Sequence, residues 1–230
     1  MKKNIVLIGG SHGIGRSVVN QLHKNYNLFV ASRSKEDLGD LDITHITFDA
    51  ISEELDVNVL PDKIDGFVYL PGSINLKPFK MLAIETFEAD MLINFFSMVR
   101  IVKSIIPKMA DASSMVFFSS VAAQKGMPYH TSIAAAKGAI EGFGKSLAAE
   151  YAPKIRINMI APSLTDTKLA ERLLNNDRKK EANALLNPLK RIGKADDIAN
   201  MVVFLLSEKS SWMTGQIIGV DGGASTLNNN

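Results

Sequence analysis

The chain contains no cysteine. A disulfide framework and a thiolate metal site are therefore excluded, and no metal is expected. Nor does charge of one sign dominate: 26 Lys and Arg stand against 24 Asp and Glu, a formal charge of +2. With the signs interspersed, no basic patch argues for nucleic acid and no acidic tail for a basic partner. Long apolar runs are missing as well. The basic start Lys2-Lys3 leads into Ile5 to Ile8 and then Gly9, too short a run for a signal peptide or a membrane span. There is no internal repeat, and the one low-complexity piece is the Asn228 to Asn230 tail, read as frayed. These absences leave a soluble cytoplasmic protein as the expectation. Its 230 residues, 46% hydrophobic, can bury one large core, so a single domain over 1–230 is expected.

What is there is organised around Asn4 to Arg16, NIVLIGGSHGIGR. The unbroken apolar run Ile5 to Ile8 predicts a strand buried on both faces, as in a parallel sheet. Ile14, Val18 and Leu22 recur every four residues and predict a helix at once after it. Gly9, Gly13 and Gly15 then occupy a strand-to-helix turn. Such a turn lets backbone approach a ligand closely, and the helix start offers unpaired N–H groups and partial positive charge to a phosphate.

The common dinucleotide fingerprint G-x-G-x-x-G is absent. The pattern present, G-x-x-x-G-I-G from Gly9 to Gly15, resembles the cofactor loop of the short-chain dehydrogenase/reductase family, with Ile8 where that family usually has Thr. The ending Thr214 to Gly223, TGQIIGVDGG, resembles the family as well and extends the likeness over nearly the whole chain. The resemblance implies a Rossmann-like, doubly wound α/β fold. Its seven-stranded, mainly parallel sheet would have strand order 3-2-1-4-5-6-7 and helices on both faces. Alternating strand and helix patterns along the chain predict the same layering.

The second predicted strand, Leu28 to Ala31, ends in Ser32 and Arg33 with no acid to hold a ribose 2′-OH. Ser32 and Arg33, with His12 as a second polar contact, favour NADP(H) over NAD(H). The cofactor set is completed by Ser11 and Ile14 in the glycine loop and by Asp49 at the end of the third strand, which the resemblance assigns to the adenine edge. Further along come Gly72 after the fourth strand and Pro162, Thr165 and Thr167 in the segment Pro162 to Thr167. The family's Asn-Asn-Ala-Gly is here Tyr69-Leu70-Pro71-Gly72, so an altered nicotinamide side is expected. Phe87, Met91, Phe95, Met98, Val102 and Ile105 predict one long helix, with Asn94 just off its stripe at the point where the family places an active-site Asn. Ser120 matches the serine that hydrogen-bonds the substrate carbonyl, and Lys137 the lysine that binds the nicotinamide ribose. The polar, helix-prone stretch Thr165 to Leu189 is expected over the substrate.

Four residues before Lys137 the resemblance requires a tyrosine, and the chain has Ile133. A phenol beside an ammonium on the next helical turn is a usable acid; an isoleucine is not. Two ionisable side chains lie just upstream, Tyr129 and His130, after the turn signal Gly126-Met127-Pro128. A continuous helix would separate them from Lys137 by roughly 12 and 10 Å of rise, so either must fold back over Ser120 to act. At neutral pH imidazole is the better acid of the two types. The expected function is an oxidoreductase that interconverts a carbonyl and an alcohol on a small or medium-sized substrate. The alternative is a cofactor binder of the same fold without catalysis. A different nucleotide-dependent enzyme such as a methyltransferase accounts for the glycine turn, but not for Asn94, Ser120 and Lys137 together. Surplus apolar and small residues on Phe87 to Ile106 and Ile133 to Tyr151 predict a homo-oligomer, which the resemblance makes a tetramer.

Arg33 gives the first test. Replacing Arg33 by Asp should invert the cofactor preference in equilibrium titrations, because the guanidinium that fits a phosphate is exchanged for a carboxylate that repels it. Equal dissociation constants for NADPH and NADH in the unmodified protein would contradict the assignment.

Overall fold

The computed structural model describes residues 2–228, so the last two residues of the asparagine tail lie outside the described part. In chain order the elements begin with β1 (Asn4–Ile8), α1 (Gly13–Leu22), β2 (Asn27–Ser32), β3 (Thr44–Thr47) and β4 (Ile64–Tyr69). The middle of the chain holds α2 (Ile84–Met91), a π-helical turn (Leu92–Phe96), α3 (Ser97–Ile105), β5 (Met109–Phe118), α4 (Val121–Gln124) and α5 (Thr131–Tyr151). The remainder comprises β6 (Ile155–Pro162), β7 (Thr165–Asp166), a 3-10 segment (Lys168–Leu173), α6 (Asp177–Leu186), β8 (Gly193–Lys194), α7 (Ala195–Leu206) and β9 (Ile217–Val220).

Seven strands form one sheet in the order β3-β2-β1-β4-β5-β6-β9, and every neighbouring pair is parallel. The doubly wound sheet is thus observed in the predicted strand order. β7 and β8 form a separate small parallel pair. Alternation along β1 shows why both sides need cover. Val6 and Ile8 join a core with Met98, Ile101 and Val102 of α3 and Ile140 of α5. Ile5 and Leu7 join the opposite core with Val18 and Val19 of α1 and Ile198 and Val202 of α7. Each such side chain, removed from water, contributes roughly 1.5–3 kcal/mol, and the sheet is held from both faces.

The predicted long helix runs unbroken from Ile84 to Ile105, but it is not α-helical throughout. At Leu92–Phe96 it widens into a π turn, where the Ser97 N–H bonds to the Leu92 carbonyl. Two side chains take up carbonyls along this stretch. The Tyr69 hydroxyl donates to the Ile93 carbonyl at 2.6 Å, and Asn94 Nδ2 donates to the Asp90 carbonyl at 2.8 Å. Tyr69, the departure at the end of β4, therefore supports the turn that presents Asn94. Turns of this kind are frequent at functional sites.

The sheet positions a cleft at its switch point. From β1 the chain winds outward through β2 and β3, then returns to β4 on the other side of β1. Ligands of open α/β sheets bind outside the carboxyl ends of the strands at such a point. There, Gly9 has φ +88°, and a Cβ on Gly15 would lie 2.3 Å from the Gly9 carbonyl oxygen and 2.9 Å from Gly10 Cα. Gly15→Ala should therefore force the loop and α1 apart and cost about 1–3 kcal/mol in denaturant unfolding. Unchanged stability would mean that the loop relaxes freely.

Candidate functional site

Two adjoining cavities of about 460 and 600 Å³ lie along the carboxyl edge of the sheet and share Gly9, His12, Leu70, Gly72, Lys168 and Leu169 in their walls. The first is walled by Ser11, Ser32, Arg33 and Asp49. The second is walled by Gly13, Ile14, Gly15, Ser120, His130, Ile133, Lys137, Pro162, Thr165 and Thr167. Sequence-distant residues singled out above thus meet in one cleft. Two do not reach its walls. Asn94 is fully buried, and Tyr129 is 57% exposed on a left-handed backbone at φ +70°. Nothing brings the Tyr129 hydroxyl into the cleft, whereas His130 next to it lines the larger cavity.

The smaller half is polar at its rim. His12 is the N-cap of α1 and makes no side-chain capping bond. Its ring is held instead by Ser11 Oγ at 2.8 Å from Nδ1 and by Asp37 at 2.9 Å from Nε2. The imidazole is therefore tied toward a carboxylate. Ser32 Oγ donates to the Ser34 carbonyl at 2.9 Å. Arg33 is exposed and in no ion pair among the described residues. Asp49 accepts from the Ile51 N–H at 2.9 Å, which fixes its carboxylate in a tight turn.

In the larger half, Ser120 caps α4 and its Oγ accepts from the Ala122 N–H at 3.2 Å. His130 stands at the N-cap position of α5 without a side-chain capping bond, and its Nδ1 lies 2.7 Å from the Pro128 carbonyl oxygen. A carbonyl can only accept, so Nδ1 carries the proton and Nε2 is the nitrogen left for other work. Lys137 is 9% exposed, and its Nζ donates to the Phe118 carbonyl at 2.9 Å. Burial pushes its ammonium down to a pKa of about 8, partly offset by the charge of Asp90. Ile133, one turn earlier on α5, is buried in the same wall and offers no acceptor.

Asp90 was missed by the sequence reading. It is fully buried, and its carboxylate accepts from Ser73 Oγ, from Asn75 Nδ2 at 2.7 Å and from Ser132 Oγ at 2.6 Å. Ser73 in turn accepts from Asn94 Nδ2 at 2.9 Å. The amide oxygen of Asn94 is buried without a partner. A Cβ added to Gly72 would lie 3.0 Å from that oxygen and 3.5 Å from Lys137 Nζ. Gly72 thus keeps open a small space that both groups face. A signal was available in the sequence: Asp90 and Asn94 are one turn apart on a helix otherwise marked by apolar residues.

A family described as "Enoyl-(Acyl carrier protein) reductase" matches residues 30–225. The chain belongs to the short-chain dehydrogenase/reductase family. A tropinone reductase homolog of Arabidopsis thaliana is 30% identical over 96% of this chain and 91% of that protein. A 3-oxoacyl-(acyl-carrier-protein) reductase of Buchnera aphidicola is 30% identical over 96% and 97%. Among solved structures, a short chain dehydrogenase family protein from Francisella tularensis superposes with TM-score 0.90 at 27% identity, covering 99% of this chain and 100% of that one. The curated relatives are oxidoreductases of this family, whose members bind NAD(P). The short-chain dehydrogenase/reductase residues present here fit such a group on three counts. The glycine loop lies against α1's uncapped start, Thr167 lies within 3.3 Å of where a Gly13 side chain would begin, and an unpartnered amide oxygen faces the open side of Gly72.

The buried lysine fixes the sign of one pH effect. Its folded pKa of about 8 lies below the ordinary lysine value of 10.5. Between those two pH values the unfolded chain holds a proton on Lys137 that the folded chain does not, so this residue makes stability rise with pH across that window. Below the window both states are charged and the full cost of burying the ammonium is present. Denaturant unfolding of the protein and of Lys137→Met, compared across the window, should show the rise shrinking in the variant. Identical pH slopes would contradict the burial of a charged ammonium.

Proposed function

We propose that the protein is an NADPH-dependent carbonyl reductase or alcohol dehydrogenase of small or medium-sized substrates, acting as one domain over 1–230 in the cytoplasm. The observation that carries the reading is the meeting of Ser120, His130 and Lys137 in one cavity with the glycine loop at the sheet's switch point. In this reading the loop and α1 hold the pyrophosphate, Arg33 the 2′-phosphate, Asp49 the adenine edge and Lys137 the nicotinamide ribose. Bound NADPH supplies hydride to the carbonyl carbon. The chain's own residues orient the substrate and manage the proton. Ser120 donates a hydrogen bond to the carbonyl oxygen and favours the charge that develops there. Asn94 and Asp90 keep the lysine's surroundings polar and fixed. Because Ile133 cannot give a proton, His130 gives it: as the imidazolium, protonated on both nitrogens, it donates from Nε2, the nitrogen not engaged by Pro128, and takes a proton back from water.

The homo-oligomer belongs to the same reading. Phe96 is 53% exposed, and a side chain added at Gly138 or Gly142 on α5 would meet nothing within 4 Å, so both helices keep a face on which a second subunit can pack. A paired-dimer tetramer is the form the resemblance implies.

One observation favours a second reading, a cofactor binder without catalysis: the position of the family's phenol is filled by a buried Ile133. Kinetics separate the two. General acid assistance is worth about 10² to 10⁴ in rate. His130→Ala should lose that much turnover in a carbonyl screen with NADPH while its NADPH dissociation constant stays the same. Full activity of His130→Ala would pass the donor role to the Lys137 ammonium or to water. An inactive parent in which Ile133→Tyr creates activity would favour the binder.

A further inference from the structure

The larger cavity has an uneven charge. Lys137, Lys168, Arg172 and Lys179 line it, and no Asp or Glu does. The segment that carries three of these cations is not poor in acids: Glu171, Asp177 and Glu181 are all present there, exposed and not part of the cavity wall. Two other cations of this region are paired within the protein, Lys180 with Asp166 at 3.2 Å and Arg191 with Asp197. Arg172 and Lys179 are in no ion pair among the described residues.

Their placement separates them from the expected cofactor phosphates. Lys168 lines both halves of the cleft, whereas Arg172 and Lys179 line only the half that holds Ser120, His130 and Ile133. The segment is built to present them. Asn176 caps α6 by accepting from the Lys179 N–H at 2.9 Å, and Asn183, one turn later on the same face, donates to the Lys179 carbonyl at 2.9 Å. Lys179 and Asn183 are the α6 residues that reach the cavity wall. The same cavity is also lined by the apolar side chains of Ile74, Leu76, Met127, Ile133 and Leu173.

We infer that Arg172 and Lys179 bind an anionic group of the substrate, a carboxylate or a phosphate ester, so that the physiological substrate is an anionic carbonyl compound with an apolar portion. The inference rests on reading this cavity as the substrate half of the proposed reductase. A guanidinium matches either anion with two parallel N–H donors, and the ammonium adds charge without demanding an orientation. Water reaches both cations, so screening limits the gain, and the two together should be worth about tenfold in affinity.

The test uses unreactive probes of one chain length: hexanoate, hexyl phosphate and hexanamide, titrated calorimetrically into the full protein saturated with NADPH. Both anions should bind about tenfold more tightly than the neutral amide, and the tighter of the two identifies the anion. In the double variant Arg172→Gln, Lys179→Gln the advantage should vanish while NADPH affinity stays unchanged. Equal binding of all three probes to the unmodified protein would overturn the inference. So would a double variant that loses NADPH affinity instead, because the two cations would then serve the cofactor. The same titrations without cofactor keep the outcomes distinct. Failure to bind NADPH at all would defeat the reductase reading, and an anion preference abolished by the double variant would still stand.

Discussion

The cost of keeping the Lys137 ammonium inside the protein is the constraint on which the rest of the site depends. Burial lowers its pKa to about 8, so near neutral pH it is still charged, with one backbone carbonyl as its bound acceptor. A buried charge in an apolar wall is tolerated only if fixed dipoles or an opposite charge compensate it. The family resemblance would place a phenol next to this ammonium, and Ile133 takes that possibility away. The compensation comes from the other side, from the fully buried carboxylate of Asp90.

Asp90 also organises what surrounds it. Its three side-chain donors come from the loop after β4, through Ser73 and Asn75, and from the start of α5, through Ser132. One carboxylate therefore ties the loop that carries Gly72 to the helices that carry Asn94 and Lys137. The π turn belongs to the same arrangement: it buries Asn94 toward Gly72 while Tyr69 takes up the Ile93 carbonyl. Buried polar clusters of this sort stabilise only when nearly complete, and the one gap here, the Asn94 amide oxygen, opens toward the space beside Gly72.

Much of the fold was legible because its signals are local and repetitive. The apolar run at Ile5 to Ile8 and the four-residue spacing of Ile14, Val18 and Leu22 could only be buried strand and amphipathic helix, and the sheet order followed the resemblance. The π turn was not legible, since an apolar stripe at spacings of three and four continues through it and one extra residue per turn leaves no mark on such a pattern. The cleft residues were found where a motif names a position, as at Ser120 and Lys137. Asp90, Ser73 and Ser132 were not, because their roles exist only through contacts between residues 15 to 42 positions apart. The different placement of Tyr129 and His130 was likewise not legible: Tyr129 is exposed outside the cleft, while His130 lines it.

The central claim is that this cleft reduces a carbonyl without a phenol at position 133. The most direct measurement is isotope transfer. NADPH deuterated at the reactive carbon of the nicotinamide is incubated with the protein and a panel of carbonyl compounds, and the alcohols formed are analysed by mass spectrometry. The account predicts deuterium on the former carbonyl carbon of at least one product, with transfer lost in Ser120→Ala. Saturable NADPH binding with no deuterium transferred to any carbonyl would contradict it.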